Sequence, residues 1–341
     1  MKILVTGGLG YIGAHTVVEL QAAGFEVIIV DNLSNTHLDV LDKIEKISGI
    51  LPSYFNFDLA DRDVCFDFFK ENHEIDGIIH FAAYKAVGES VQKPLKYYHN
   101  NIGSLINIME NMELHQINNL VFSSSCTVYG QPDELPVTEL APRKPALSPY
   151  GNTKQIAEDI ISDTIYASRL KSIALRYFNP VGAHESAFIG ELPLGVPNNL
   201  LPFITQTAAG IREQLSVYGS DYNTPDGTAI RDYIHVVDLA KAHVIAVKRM
   251  IEGKSKKAFE TFNIGTGNGS SVLEVIQSFE KTSGKKLNYQ IVGRREGDVE
   301  QVWADTNFAN EELGWKATKT LDEMTLSAWN YQIELGKNKQ N

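Results

Sequence analysis

Tyr150 and Lys154 stand four positions apart in the stretch SPYGNTK, residues 148–154. On a helix this spacing puts a phenol and an ammonium on one face, about 6 Å apart along the axis. A free tyrosine ionises near pH ~10 and is a poor base at neutral pH. A neighbouring cation would stabilise the phenolate and bring that value down. Such a phenol can take the proton from a hydroxyl while a hydride leaves the same carbon. Tyrosine–lysine pairs also occur on ordinary helix surfaces, so the company they keep decides the reading. Ser125 closes the run FSSS, 25 residues before Tyr150, where its hydroxyl could hydrogen-bond a reacting oxygen. At least one serine of that run, Ser123 to Ser125, is expected to be an ordinary polar loop residue.

A second chemical feature lies at the start of the chain. TGGLGYIG follows the apolar run ILV, with Gly8, Gly10 and Gly13 in the pattern G-x-G-x-x-G and Gly7, Gly10 and Gly13 in G-x-x-G-x-x-G. Glycine suits a turn whose helix N-terminal amides must meet a pyrophosphate, because a side chain would hold the phosphates away. Asp31 ends the next apolar run, eighteen residues past Gly13, where a carboxylate can accept from a ribose diol. It would repel a 2′-phosphate, and the following segment NLSNTH offers no arginine to hold one. NAD is therefore favoured over NADP. The positive charge of an oxidised nicotinamide would add to that of Lys154 beside the Tyr150 phenol.

These residues need a scaffold. KILVTG, FEVIIVD, SYFNFDL, GIIHFAA, NNLVFSSS and KSIALRYFN read as strands. AHTVVELQAAG reads as a helix with Gly24 as its C-cap, and further helical stretches fall near 37–48, 61–72, 95–115 and 149–168. Near-continuous apolar strands alternating with helices predict a doubly wound α/β (Rossmann) domain, its parallel sheet covered on both faces. In such folds ligands sit at the carboxyl ends of strands, where FSSS ends. After FNPVGA the texture changes: residues 183–232 are rich in Gly, Pro and Asn, with one helical stretch near 198–212. Residues 1–180 are expected to form the dinucleotide-binding domain, with 233–262 returning to it, and 181–341 a smaller substrate-binding lobe. GSSVLEVIQSFEKTSG reads as a helix capped by Ser270 or Ser271. There is no internal repeat.

Composition bounds the rest. A chain of 341 residues exceeds what one compact core usually holds, and 43% hydrophobic with 21% charged residues is ordinary for a globular protein. The net charge of −11 argues against broad nucleic-acid binding, which needs a basic face. An anionic small molecule would need local arginines and helix N-termini. The two cysteines, Cys65 and Cys126, have no metal-ligand spacing and make no disulfide framework, which fits a reducing compartment. The apolar run Ile3–Val5 is too short for a signal peptide, and no apolar run is long enough to span a membrane. The expectation is a cytoplasmic protein without a metal.

TGGLGYIG, Asp31, SSSCTVYG and SPYGNTK together resemble the extended short-chain dehydrogenase/reductase superfamily. HFAAYKAVGESVQKPLKYYHNN, LRYFNPVGAH, PNNLLPF, DGTAIRDYIHVVDLA and RREGD narrow this, being similar to the UDP-glucose (UDP-galactose) 4-epimerase family over nearly the whole chain. The resemblance implies reversible C4 epimerisation of UDP-galactose and UDP-glucose, through a transient 4-keto sugar and tightly held NAD, in a homodimer. Tyr150 would be the catalytic base and acid, Lys154 would lower its pKa and bind the nicotinamide ribose, and Ser125 would assist at the sugar hydroxyl. Gly7, Gly10, Tyr11, Ile12, Gly13, Asp31, Asn32, Leu33, Ser34, Asn35, Thr36, Asp58 and Leu59 would line the NAD site. Phe81, Ala82, Ala83, Lys85 and Asn100 would also face the cofactor, with Tyr177 and Phe178 closing around the nicotinamide. Asn179, Asn199, Leu200, Ser216, Val217, Tyr218, Arg231, Tyr233, Arg295 and Asp298 would hold the nucleotide sugar, the two arginines meeting its pyrophosphate.

Three other readings compete. A nucleotide-sugar 4,6-dehydratase shares the first step, but the related dehydratases carry acidic residues beside the threonine of the serine region, and SCTVYG has none. A plain NAD-dependent reductase fits the fold and would release reduced cofactor. A non-catalytic NAD sensor would not need Ser125, Tyr150 and Lys154 together. One position departs from part of the family: where some members carry a tyrosine after RREGD, this chain has Val302, and the smaller side chain is expected to admit UDP-N-acetylhexosamines.

Overall fold

The structure, a computed structural model, describes residues 1–295 and 298–338; Glu296 and Gly297 of the RREGD block lie outside the described residues. The chain opens with β1 (Lys2–Thr6), α1 (Tyr11–Ala22), β2 (Glu26–Val30), α2 (Asp39–Ser48), β3 (Ser53–Phe55), α3 (Arg62–Glu71) and β4 (Gly77–His80). It continues through α4 (Val87–Gln92), α5 (Pro94–Leu114), β5 (Asn119–Ser125), α6 (Pro149–Ala167), β6 (Lys171–Tyr177) and β7 (Asn179–Val181). Then come α7 (Leu200–Ala208), β8 (Leu215–Tyr218), β9 (Ile230–His235), α8 (Val236–Ile251), β10 (Phe259–Ile264) and β11 (Gly269–Ser271). The described chain closes with α9 (Val272–Ser283), β12 (Tyr289–Val292), β13 (Gln301–Val302) and α10 (Leu321–Asn338).

A seven-stranded sheet runs β10-β6-β5-β4-β1-β2-β3, every pairing parallel. Its strands are continuous apolar runs because both faces are buried. Ile3 and Val5 of β1 point into a core shared with Val17 of α1 and Leu239 of α8, while Leu4 between them points into another with Phe69 of α3, Ile108 of α5 and Ile161 of α6. Strand order reverses between β1 and β4, which opens a crevice at their carboxyl ends. The polar ends of β1, β2, β4 and β5 all face that crevice, so the strand ends of the sequence reading converge there.

The remaining strands build the smaller lobe. β9 carries β11 antiparallel and β7 and β13 parallel, and β12 pairs in parallel with β8. Leu201, Val217, Phe279 and Trp329 belong to its own core. Within residues 233–262, β9 therefore stays in the smaller lobe, and the chain rejoins the large sheet through α8 and β10. Ser271, not Ser270, caps α9: its hydroxyl accepts from the Glu274 amide while the Glu274 carboxylate accepts from the Ser271 amide. α1 ends one residue earlier than its sequence suggests, with Ala23 as the cap and Gly24 taking the left-handed conformation at φ +83°. No helix among the described residues is long and apolar enough to cross a membrane.

Candidate active site

The glycine turn is first of all a demand of the chain itself. A Cβ on Gly13 would fall 2.2 Å from the Gly7 carbonyl oxygen, and one on Gly7 (φ +68°) would fall 2.9 Å from the Ala82 nitrogen. Gly10 caps α1 without any side chain, so the amides of the first turn, Tyr11 and Ile12 among them, keep their donors free of side-chain caps. That is the cradle a pyrophosphate needs, and it fits a dinucleotide. Asp31 is buried at the end of β2, accepting from the Leu9 amide at 3.1 Å and the Leu33 amide at 2.9 Å. Burial raises its pKa, and the two amides oppose that rise. Leu33 turns through φ +57°, and the Asn32 amide reaches Asp58 at 3.3 Å, while Thr36 donates to the Leu9 carbonyl at 2.6 Å.

Ser34, Asn35, Thr36, Tyr11 and Lys85 line the main cavity of about 930 Å³; Asp58 and Asn100 line a smaller one of about 450 Å³ beside it. The Tyr11 hydroxyl donates to the Gly182 carbonyl at 2.7 Å, and Lys85 pairs with Glu191 at 3.4 Å. Ala82 backs Gly7, Ala83 follows it, and the Phe81 ring lies 4.6 Å from that of His243. Leu59 packs its side chain in the core under the sheet and its carbonyl accepts from Asn107 at 2.8 Å, which leaves its backbone amide for the site. Ile12 likewise packs its side chain onto the core, leaving its amide for the site.

Ser148 caps α6, accepting from the Gly151 amide at 3.1 Å, and Pro149 opens the helix, which sets Tyr150 in its first turn. Tyr150 and Lys154 are buried, with 8% and 5% exposure. The Lys154 ammonium lies 6.0 Å from the centre of the Tyr150 ring and donates to the Ser123 carbonyl at 2.6 Å. Burial raises the Tyr150 pKa well above its ordinary value, Tyr177 adds to the rise, and a hydrogen bond with Ser125 opposes it. Burial brings Lys154 down to about 8 against the pull of Glu158. The depressed tyrosine pKa expected from Lys154 is thus not a property of the folded chain alone, because desolvation by burial is the largest influence on the phenol.

None of the serines is a loop residue, contrary to expectation; all three are buried at the end of β5. Ser123 bonds the Tyr177 hydroxyl at 2.7 Å, Ser124 donates to Glu158 at 2.6 Å, and Ser125 accepts from the Thr127 amide at 3.2 Å. Phe178 turns into a satellite core with Val128 and Val302, while Tyr177 borders Tyr150. Sequence reasoning missed Glu158, whose carboxylate is gripped by Arg176 at 2.9 and 2.6 Å under α6. Its signals were an acid four residues past Lys154 and an arginine inside the apolar strand KSIALRY.

The sugar end opens toward the smaller lobe. Arg231, Tyr233, Arg295, Asp298 and Asn179 border the main cavity, with Arg231 3.8 Å from the Asp298 carboxylate and Arg295 exposed. Asn199 caps α7 through its backbone only, its side chain donating to Glu191 at 2.5 Å, so the α7 amides beginning at Leu200 have no side-chain cap. Ser216 and Tyr218 face the cavity, but Val217 between them points into the core, as strand alternation requires. Val302 is buried yet forms part of the cavity wall, as do Cys126, Thr127 and Gly151, which flank Ser125 and Tyr150. Among the described residues no cluster of His, Cys, Asp or Glu could hold a metal.

The chain matches the family described as GDP-mannose 4,6 dehydratase over residues 4–327. It is 50% identical to the UDP-glucose 4-epimerase of Bacillus subtilis over 333 residues, 97% of each chain. Among solved structures it is similar to a UDP-glucose-4-epimerase from Stenotrophomonas maltophila with bound NAD and formylated UDP-arabinopyranose, at a TM-score of 0.95 and 46% identity over 99% of each chain. A UDP-glucose 4-epimerase from Bifidobacterium longum in complex with NAD+ and UDP gives a TM-score of 0.93 at 46% identity over 98% of each.

Proposed function

The chain belongs to the UDP-glucose 4-epimerase family, and on that premise we propose that it interconverts UDP-glucose and UDP-galactose by inverting C4 of the sugar. The observation that carries the reading is a buried phenol, ammonium and serine hydroxyl at the carboxyl end of β5, beside a cavity continuous from the α1 glycine turn to Arg231 and Arg295. The amides of that turn and the Asp31 carboxylate would hold NAD, which would supply a reversible hydride acceptor for C4 of the sugar. Tyr150 accepts the proton of the 4-hydroxyl, Ser125 hydrogen-bonds the oxygen as it becomes a ketone, and Tyr150 gives the proton back after the 4-keto sugar has turned. Lys154 holds positive charge near the phenol and reaches the nicotinamide ribose. Arg231 and Arg295 grip the pyrophosphate, which anchors the uridine end while the sugar rotates.

Val302 presents a small side chain to the cavity, and on our reading the enzyme accepts UDP-N-acetylhexosamines as well. It works as a homodimer in the cytoplasm; the exposed Leu95 and Ile106 of α5 and Tyr166 of α6 are apolar groups of the kind a second copy covers, which light scattering tests. The dehydratase reading has no residue to stand on, since Thr127 is flanked by Cys126 and Val128 and not by a carboxylate. Incubation with UDP-galactose and no added cofactor decides among the readings. An epimerase yields UDP-glucose without accumulating reduced-nicotinamide absorbance, whereas stoichiometric reduced cofactor or loss of the 6-hydroxyl would overturn the proposal.

A further inference from the structure

Glu158 stands four residues after Lys154 on α6, a spacing at which lysine and glutamate side chains ordinarily meet. Its ion pairs are instead with arginines: Arg176 at 2.6 Å, and Arg143, partly exposed and already paired with Asp159, at 3.8 Å. Arg176 is the direct partner of Ser124 in the β5–β6 ladder, so strand register delivers its guanidinium beneath the catalytic helix. Its Nε and one terminal nitrogen take the two Glu158 oxygens, and Ser124 adds a third donor at 2.6 Å. The other terminal nitrogen bonds the Tyr129 hydroxyl at 3.0 Å, which in turn donates to Asn263 of β10 at 2.6 Å. Every member of this array is buried.

We propose that Arg176 is a positioning residue for the catalytic pair: by occupying both oxygens of Glu158 it keeps that carboxylate from drawing the Lys154 ammonium off the Ser123 carbonyl and away from Tyr150. A buried carboxylate that loses one partner takes the nearest other cation, because an unpaired charge in the interior is costly. Lys154 is the buried candidate on the same helix face, and its single bond to a backbone carbonyl is the weaker hold. A charge-pairing fork would thus act on the chemistry without touching substrate or cofactor. The inference rests on the reading of Tyr150 as the base.

The test is the pH profile of UDP-galactose turnover in the parent, in Arg176→Met, in Arg176→Lys and in the double variant Arg176→Met with Glu158→Met. The groups facing the catalytic pair are Glu158 of α6, Ser123 and Ser125 of β5, His80 of β4, Tyr97 of α5, Tyr177 of β6 and the Cys126 thiol. When Lys154 leaves for Glu158, the limb on which activity rises with pH moves up by about one unit and neutral-pH turnover falls about tenfold. In the double variant the limb returns to the parent position, because the competing carboxylate is gone. A variant that has lost only fold stability melts earlier but keeps the parent limb. A folded, NAD-retaining Arg176→Met with an unmoved limb, or a double variant whose limb stays displaced, overturns the proposal. Arg176→Lys keeps one positive charge for Glu158 and is expected to hold the limb near the parent position; a limb displaced there as far as in Arg176→Met would overturn the charge-pairing account. An inactive parent would instead overturn the epimerase reading itself.

Discussion

Lys154 stands 6.0 Å from the centre of the Tyr150 ring and spends a hydrogen bond on the carbonyl of Ser123 at 2.6 Å. The bond ties α6 to the end of β5 and fixes the ammonium at a set depth beside the phenol. Because Tyr150 is itself desolvated, the ammonium alone does not make it a base; a second positive charge must arrive with the oxidised nicotinamide.

Tyr150→Phe separates binding from proton transfer. The ring stays in its buried place and only the hydroxyl goes, so NAD remains bound while turnover falls by about 10²–10⁴-fold. Measuring turnover and protein-bound nicotinamide on one preparation checks both halves. Activity near the parent level would mean that another group is the base.

Gly13→Ala tests the turn. The added methyl would meet the Gly7 carbonyl oxygen at 2.2 Å, backbone against backbone, with no flexible side chain to yield. The expected outcome is a loss of about 1–3 kcal/mol of stability together with weaker NAD retention. Gly24→Ala is a poor control because of its positive φ, but Gly103→Ala on α5, with open space around its Cβ, should leave NAD content unchanged and raise stability by up to about 1 kcal/mol. Equal melting temperatures and equal NAD content for Gly13→Ala and the parent would refute the account.

The residues that act through local spacing were legible in the sequence. The glycine turn, Asp31 and the Tyr150–Lys154 pair each follow from a strand end or a helical period. Glu158 with Arg176 was not, since their pairing depends on which strand lies beside β5, and neighbours in a sheet are settled by topology. Val217 and Leu59 turn their side chains into the core, so a part in the ligand site falls to their backbones, and block resemblance cannot say which face of a strand or loop a side chain takes. Of residues 233–262, α8 and β10 join the large sheet, whereas the first residues belong to β9, whose apolar run is equally suited to either sheet and pairs with β7, β11 and β13. The serine run was misjudged in part because hydroxyls look polar in sequence, whereas here each has a buried partner.

Val302→Tyr tests the width of the sugar pocket. Val302 lines the cavity while its inner side packs with Phe178 and Val128, so a tyrosine ring has room only toward the cavity. The ratio of turnover on UDP-N-acetylglucosamine to that on UDP-glucose is expected to drop about tenfold or more, the size of a steric clash of ~1–3 kcal/mol. Turnover on UDP-glucose itself should change little. Parent and variant showing comparable ratios would sink the assignment.

Acid stability should report a set of histidines buried in neutral form. Burial lowers His15 and His80 to about 3 and His235 and His243 to about 4. An unfolded histidine titrates near ~6.5, so between that value and the folded one the unfolded chain binds protons that the folded chain refuses. The sign is therefore fixed: the stabilisation is whole above about pH 6.5 and is lost as pH falls toward 4 and then 3. The His243 ring lies against Phe81 and Tyr177, in surroundings that accept an apolar ring. Urea unfolding at pH 7, 6 and 5 should show stability falling steadily, and His243→Phe should lessen the slope by up to about 1.4 kcal/mol per pH unit, one proton's share. An unchanged slope in His243→Phe would show that this histidine is already charged in the folded chain.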